Sequence, residues 1–179
     1  MEPLRVFVVG YMGVGKSTSG SRLARFMELP FLDTDAELRR RHECSINALF
    51  DQRGEEGFRA LEQDLLRELV ADHPRMLIST GGGTPCHGDN MAFMKEHGTV
   101  VYLKMPAEDL VERLRGRADQ RPLIAGIADE ELSAFVTDHL GGREDAYGQA
   151  HITVDARHFD EDRMKSVRSL IEGRMGLNP

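Results

Sequence analysis

Residues 8–20, VVGYMGVGKSTSG, restrict this chain more than any other stretch. An apolar run stops at Gly10, and Gly15, Lys16 and Ser17 follow at the spacing G-x-x-x-x-G-K-[ST]. A loop of this kind turns successive backbone N–H groups inward and ends on a helix N-terminus, which makes a concave anion site. The chain therefore needs a buried strand ending near Val9 and a helix starting near Lys16. In that frame Gly13, Val14, Gly15 and Thr18 wrap the phosphates of a nucleotide with their amides. Lys16 reaches the outer phosphates, and the Ser17 hydroxyl is placed to ligate Mg²⁺.

The rest of the chain supports such a strand and helix. Short β-rich runs at 4–9, 31–35, 75–80, 99–105 and 151–155 alternate with helical patterns at 16–28, 58–72, 89–97, 106–115, 129–140 and 160–175. The second of these helices repeats Leu61, Leu65, Leu66 and Leu69 on one face. Alternation of this kind predicts an α/β domain in three layers, a parallel sheet between helices. Apolar strands without strict alternation fit a sheet buried on both faces. At 179 residues one domain can bury an adequate core without staples. The segment 115–131, RGRADQRPLIAGIADEE, has no clear periodicity and is expected to be a lid.

Charge and cysteine usage narrow the partners. A net charge of −7 argues against a broad nucleic-acid surface. An anionic ligand has to be met by clustered arginines working against the field of the whole molecule. LRVFVV (4–9) is too short for a signal segment, and no apolar run approaches the ~18–20 residues that span a bilayer. No nucleic-acid or membrane partner is expected, and a cytoplasmic monomer is. Cys44 and Cys86 form no C-x-x-C pair and read as two reduced thiols. A zinc site joining them to His42 and His87 lacks the usual ligand spacing.

The phosphate loop alone is common to motors, GTPases, transporters and kinases. There is no guanine-reading N-K-x-D, and DQRG at 51–54 lies in a polar helical stretch rather than after a strand. The third strand ends in Ser79-Thr80 rather than in an aspartate. Asp33 and Asp35 follow the second strand instead. On an extended segment these two would project to one side, one toward Mg²⁺ and the other toward an acceptor hydroxyl. Spacing alone gives equal weight to an ordinary cap for a helix starting near Ala36.

Taken in order, GYMGVGKST, FLDTD, EEGFRALE, STGGG, QRPLI and REDAY resemble the shikimate kinase family over roughly residues 4 to 155. The resemblance implies a P-loop kinase fold, a five-stranded parallel sheet in the order 2-3-1-4-5, with a substrate region about 33–62 and a lid about 115–128. It implies ATP and Mg²⁺ as cofactors, and transfer of a phosphoryl group to the 3-hydroxyl of shikimate. By the same resemblance Asp33 orders the Mg²⁺ shell and Asp35 hydrogen-bonds the acceptor hydroxyl. Arg59 and Arg143 bind the substrate carboxylate, with Glu62 steadying Arg59, and Gly81, Gly82 and Gly83 form a turn whose amides approach substrate. Arg121 resembles the lid arginine that closes over the phosphates. One of Arg113, Arg115 and Arg117 is expected against the adenine, with Arg157 as the candidate after the last strand; the spacing does not choose among them. The chain departs from the family after Arg143, where Glu144 and Asp145 add two acidic groups beside the expected carboxylate site. Two rival readings remain: a kinase for another hydroxy acid such as gluconate, and a nucleotide-sensing module without catalysis.

Overall fold

The computed structural model describes residues 3–115, 122–124 and 126–176. Five parallel strands form one sheet in the order β2-β3-β1-β4-β5. These are β1 (Leu4–Val9), β2 (Phe31–Asp33), β3 (Arg75–Ser79), β4 (Thr99–Lys104) and β5 (Ile152–Asp155). The helices are α1 (Lys16–Phe26), α2 (Thr34–His42), α3 (Ile46–Asp72), α4 (Asn90–His97), α5 (Ala107–Leu114), α6 (Asp129–Tyr147) and α7 (Glu161–Arg174). The central strands are unbroken apolar runs because both faces are covered: Val6, Phe7, Val8 and Val9 in β1 and Val100 to Leu103 in β4 are buried. The edge strand β5 instead alternates buried and exposed residues. The expected sheet and its order are present.

Three boundaries differ from the sequence expectation. The second strand ends at Asp33, and α2 begins at Thr34, so Asp35 sits in a first helical turn rather than on an extended segment. The reason is local: Asp33 Oδ1 accepts a hydrogen bond from the Ala36 amide at 3.0 Å and caps the helix at once. Next, α3 takes in 51–54 and kinks at Gly54, whose φ of 67° and ψ of 176° leave the helical region. Finally, α6 does not stop at residue 140. It runs through Gly141 and Gly142 to Tyr147 because Leu132, Val136, Leu140 and Tyr147 are all buried on its inner face.

Arg121 and Arg117 lie outside the described residues, as does much of the expected lid. Its described part contains a short 3-10 turn, Pro122–Ile124, with Ile124 fully buried. Among the described residues no helix is long and apolar enough to cross a membrane.

Candidate active site

The phosphate loop joins β1 to α1. Gly13 and Gly15 adopt φ of 82° and 96°, a left-handed backbone that a side chain resists, and Gly15 precedes the first turn of α1. Among the described residues no side chain caps that turn, so its orphan N–H groups face the loop. Lys16 Nζ donates to the Tyr11 carbonyl at 3.1 Å, folding the ammonium across the same concavity. Gly13, Val14, Gly15 and Thr18 line a cavity of about 430 Å³ that also takes in Arg113 and Arg157.

Two of the four arginines considered for the adenine therefore reach this cavity. Arg113 Nη1 donates to the Val14 carbonyl at 3.1 Å. Arg157 is gripped by Asp155, with Nη2 to Oδ2 at 2.6 Å. That hydrogen bond holds the Asp155 carboxyl well below the usual carboxylate range. Arg115 is the residue after α5.

Asp33 pairs in register with Ser79 across β2 and β3, so its carboxylate stands where an acidic end of the third strand would otherwise be. Its Oδ2 accepts a hydrogen bond from Ser17 Oγ, while Oδ1 caps α2. Of the readings that spacing left open, the cap is observed: one carboxylate oxygen of Asp33 caps α2, while the other faces Ser17. Ser17 and Asp33 present a hydroxyl and a carboxylate side by side, a donor pair that suits Mg²⁺ completed by water and phosphate oxygens. No group of three or more His, Cys, Asp or Glu able to hold a metal occurs among the described residues, and Cys44 and Cys86 are free thiols.

On the far side of the loop is a cavity of about 580 Å³, lined by Ser17, Asp33, Asp35, Arg59, Gly81 to Gly83 and Arg143 among others. The residues that the resemblance implied for substrate thus share one cavity. Arg59 is 6% exposed and Glu62 1%. Arg59 Nη1 donates to Glu62 Oε2 at 2.5 Å, and Thr84 Oγ1 donates to Glu62 Oε1 at 2.6 Å. The guanidinium also lies 5.7 Å and 5.6 Å from the Phe50 and Phe58 ring centres. Because a buried charge without a partner is costly, this arrangement holds the fork in one place.

Gly81 and Gly83 are required by space more than by backbone freedom, whereas a Cβ on Gly82 would make only ordinary contacts. A Cβ on Gly81 would collide with Glu62 Oε1 and press on Asp35 Oδ1, and one on Gly83 would collide with the Arg59 guanidinium. The Gly81 amide donates to Thr34 Oγ1 at 3.0 Å, tying the turn to the start of α2. Tyr147 Oη donates to the Gly82 carbonyl at 2.7 Å, and burial pushes its phenol well above the ordinary value.

Arg143 reaches the cavity from α6, with its guanidinium 6.0 Å from the Tyr11 ring centre. Its acidic neighbour turns away: Glu144 accepts from Lys104 Nζ at 3.1 Å and from Tyr102 Oη at 3.3 Å. Asp145 is exposed to solvent. The acidic pair after Arg143 therefore does not enter the cavity.

Several cavity residues escaped sequence reading. Arg39 lines the cavity and donates from Nε to the Asp35 carbonyl at 3.3 Å. Its i+4 spacing from Asp35 was the available signal, hidden because Asp35 was placed on a strand. Asn47, Phe50 and Phe58 come from the two arms of α3, which only the Gly54 kink brings to one wall.

Comparison with known proteins places this geometry. The shikimate kinase family profile matches residues 12–172. A shikimate kinase of Parabacteroides distasonis is 47% identical over 152 residues, covering 85% of this chain and 87% of that protein. One from Phocaeicola vulgatus is 42% identical over 93% of this chain and 95% of its own length. Among solved structures, a shikimate kinase from Acinetobacter baumannii in complex with shikimate superposes with a TM-score of 0.86 at 33% identity, covering 97% of this chain and 96% of that one. A gluconokinase from Sinorhizobium meliloti reaches a TM-score of 0.59 at 19% identity over 98% of this chain and 93% of its own, a likeness of fold alone.

Proposed function

The chain belongs to the shikimate kinase family, and on that premise we propose how its residues divide the transfer of a phosphoryl group from ATP to the 3-hydroxyl of shikimate. It is a small-molecule kinase with ATP as phosphoryl donor. The observation that carries the division of labour is the cavity where Asp35, Arg59 and Arg143 converge beside Ser17 and Asp33.

Phosphoryl transfer needs alignment and charge neutralisation more than covalent help. The amides of Gly13, Val14, Gly15 and Thr18 hold the phosphates, and Lys16 swings from the Tyr11 carbonyl to the outer ones. Ser17 and Asp33 would hold Mg²⁺, which supplies charge neutralisation at the phosphate oxygens when bound. Arg59 and Arg143 grip the shikimate carboxylate from two sides, because a guanidinium fork matches a planar carboxylate. That anchor leaves the 3-hydroxyl facing Asp35, which accepts its hydrogen bond and takes its proton as the new P–O bond forms, the bond from the γ-phosphorus to the bridging oxygen breaks and ADP leaves. Arg121 closes over the phosphates and Arg157 stands at the nucleotide's outer end. The triple glycine, Gly81 to Gly83, lets backbone amides approach the substrate, and at positions 81 and 83 leaves room for the Glu62–Arg59 pair.

The chain works as one domain over residues 1–179, with a substrate region about 33–62 and a lid about 115–128. A cytoplasmic monomer without nucleic-acid or membrane partners fits its surface: Leu170, 54% exposed, is the single exposed large hydrophobic among the described residues.

The test is ADP release from ATP and Mg²⁺ with shikimate, with gluconate and with neither. Release stimulated by shikimate, and nearly abolished in Lys16→Ala, is the expected result. Turnover of gluconate but not shikimate would overturn the substrate. Nucleotide binding with no acceptor-stimulated release would reduce the protein to a sensor.

A further inference from the structure

Tyr11 is the first of the four positions that the G-x-x-x-x-G-K-[ST] spacing leaves open, yet three groups meet on it. Its carbonyl receives Lys16 Nζ, its ring lies 6.0 Å from the Arg143 guanidinium, and its hydroxyl is 2.7 Å from His139 Nδ1. His139 precedes Arg143 by one helical turn on α6, and Phe135 precedes His139 by another. The Phe135 ring stacks on the imidazole at 5.1 Å and 26°, while Tyr11 meets the same imidazole edge-on at 5.5 Å and 72°. The imidazole is thus held by two residues, Phe135 on its face and Tyr11 through both a ring contact and a hydrogen bond.

We infer that His139 is a positioning residue for shikimate binding, fixing the Tyr11 ring beside the Arg143 guanidinium through its hydrogen bond to the Tyr11 hydroxyl. The inference rests on the reading of Arg143 as a carboxylate-binding group. Arginine carries many rotamers, and ordering one on binding lowers affinity. A ring locked in place offers Arg143 a cation–π contact that preselects the productive orientation before substrate arrives. The same bond pins the middle of α6 to the loop just before Gly141 and Gly142, where the helix has weak intrinsic preference. The hydrogen bond persists through neutral pH. Burial pushes the Tyr11 phenol up to about 12, and burial, helped by Arg143, holds the His139 imidazole below its ordinary value. Both partners are therefore uncharged.

The test measures shikimate affinity by calorimetry alongside steady-state kinetics. His139→Ala is expected to weaken shikimate binding by about three- to tenfold, the size of one lost neutral hydrogen bond and one freed side chain, with kcat and the KM for ATP held within about twofold. Tyr11→Phe, which removes the same bond without touching α6, should weaken shikimate binding by a similar factor. His139→Asn, which returns a polar atom near the Nδ1 position, should restore most of the affinity. In an Arg143→Ala background, His139→Ala should add nothing further. Unchanged shikimate affinity in His139→Ala, an equal loss for ATP, or an undiminished effect without Arg143 would each overturn the inference. Arg143→Ala by itself separates the two ideas: if it leaves shikimate affinity intact, the carboxylate reading falls and takes the inference with it. If Arg143→Ala weakens binding while His139→Ala does not, the inference alone fails.

Discussion

Glu62 holds three things together: the Arg59 fork, the Thr84 hydroxyl and, by its volume, the need for glycine at position 81. A carboxylate 1% exposed is tolerated only because charged and neutral donors satisfy it. Replacing it by alanine strands the Arg59 charge. Exposed Glu55, with Oε1 3.6 Å from Arg59 Nη2, is a poor substitute. Glu62→Ala is expected to cost about 3 kcal/mol of stability in urea unfolding, and a loss under about 1 kcal/mol would show that Arg59 re-pairs with Glu55. At this scale Lys16 and Ser17 were legible from the phosphate-loop spacing, whereas Asp33, Asp35, Arg59 and Arg143 received their roles from the family resemblance. Their neighbours were less legible. Nothing in the string EEGFRALE says that Arg59 is buried between Phe50 and Phe58; that follows from the bend at Gly54.

The elements show why boundaries were harder to read than existence. The helical pattern read at 129–140 runs on through two consecutive glycines in α6, because four buried side chains at helical spacing outweigh their poor propensity. Gly141 is exposed, and a Cβ there would meet nothing within 4 Å. Gly141→Ala should therefore raise stability by about 0.5–1 kcal/mol, and an unchanged unfolding midpoint would show that the residue is not held in helix. At the sheet edge, His151 Nδ1 accepts the Val100 amide at 3.1 Å, which requires a neutral imidazole. Burial, with Arg174 and Lys95 adding to it, lowers the folded pKa from 6.5. As pH falls below 6.5 the unfolded chain takes up a proton that the folded chain refuses, so stability is retained above that value and lost toward the lower folded pKa. The loss between pH 7.5 and pH 5.5, two conditions chosen to straddle about 6.5, should be smaller in His151→Gln than in the parent. Equal losses would remove His151 from the account.

For the molecule as a whole, the site lies at one end of the parallel sheet, where the loops after β1, β2 and β3 meet. Nucleotide is expected to couple to global stability through the loop after β1. At a hundredfold excess over its Kd, ATP contributes about 2.7 kcal/mol, or roughly 5–10 °C in Tm for a chain of this size. Lys16→Ala should lose most of that shift, and a full shift in the variant would place the triphosphate elsewhere.

The amino-acid sequence by itself determined the strand–loop–helix at residues 4–26, the alternation that makes a parallel sheet, and the phosphate loop with its Lys16 and Ser17. These depend on local spacing and on residue type, which a string records. Tertiary structure alone decided that Asp33 stands beside Ser79, that the arms of α3 wall one cavity, and that His139 and Tyr11 meet across 128 positions of chain. Such contacts depend on how elements pack and bend, and a linear string carries no distance between residues far apart along it.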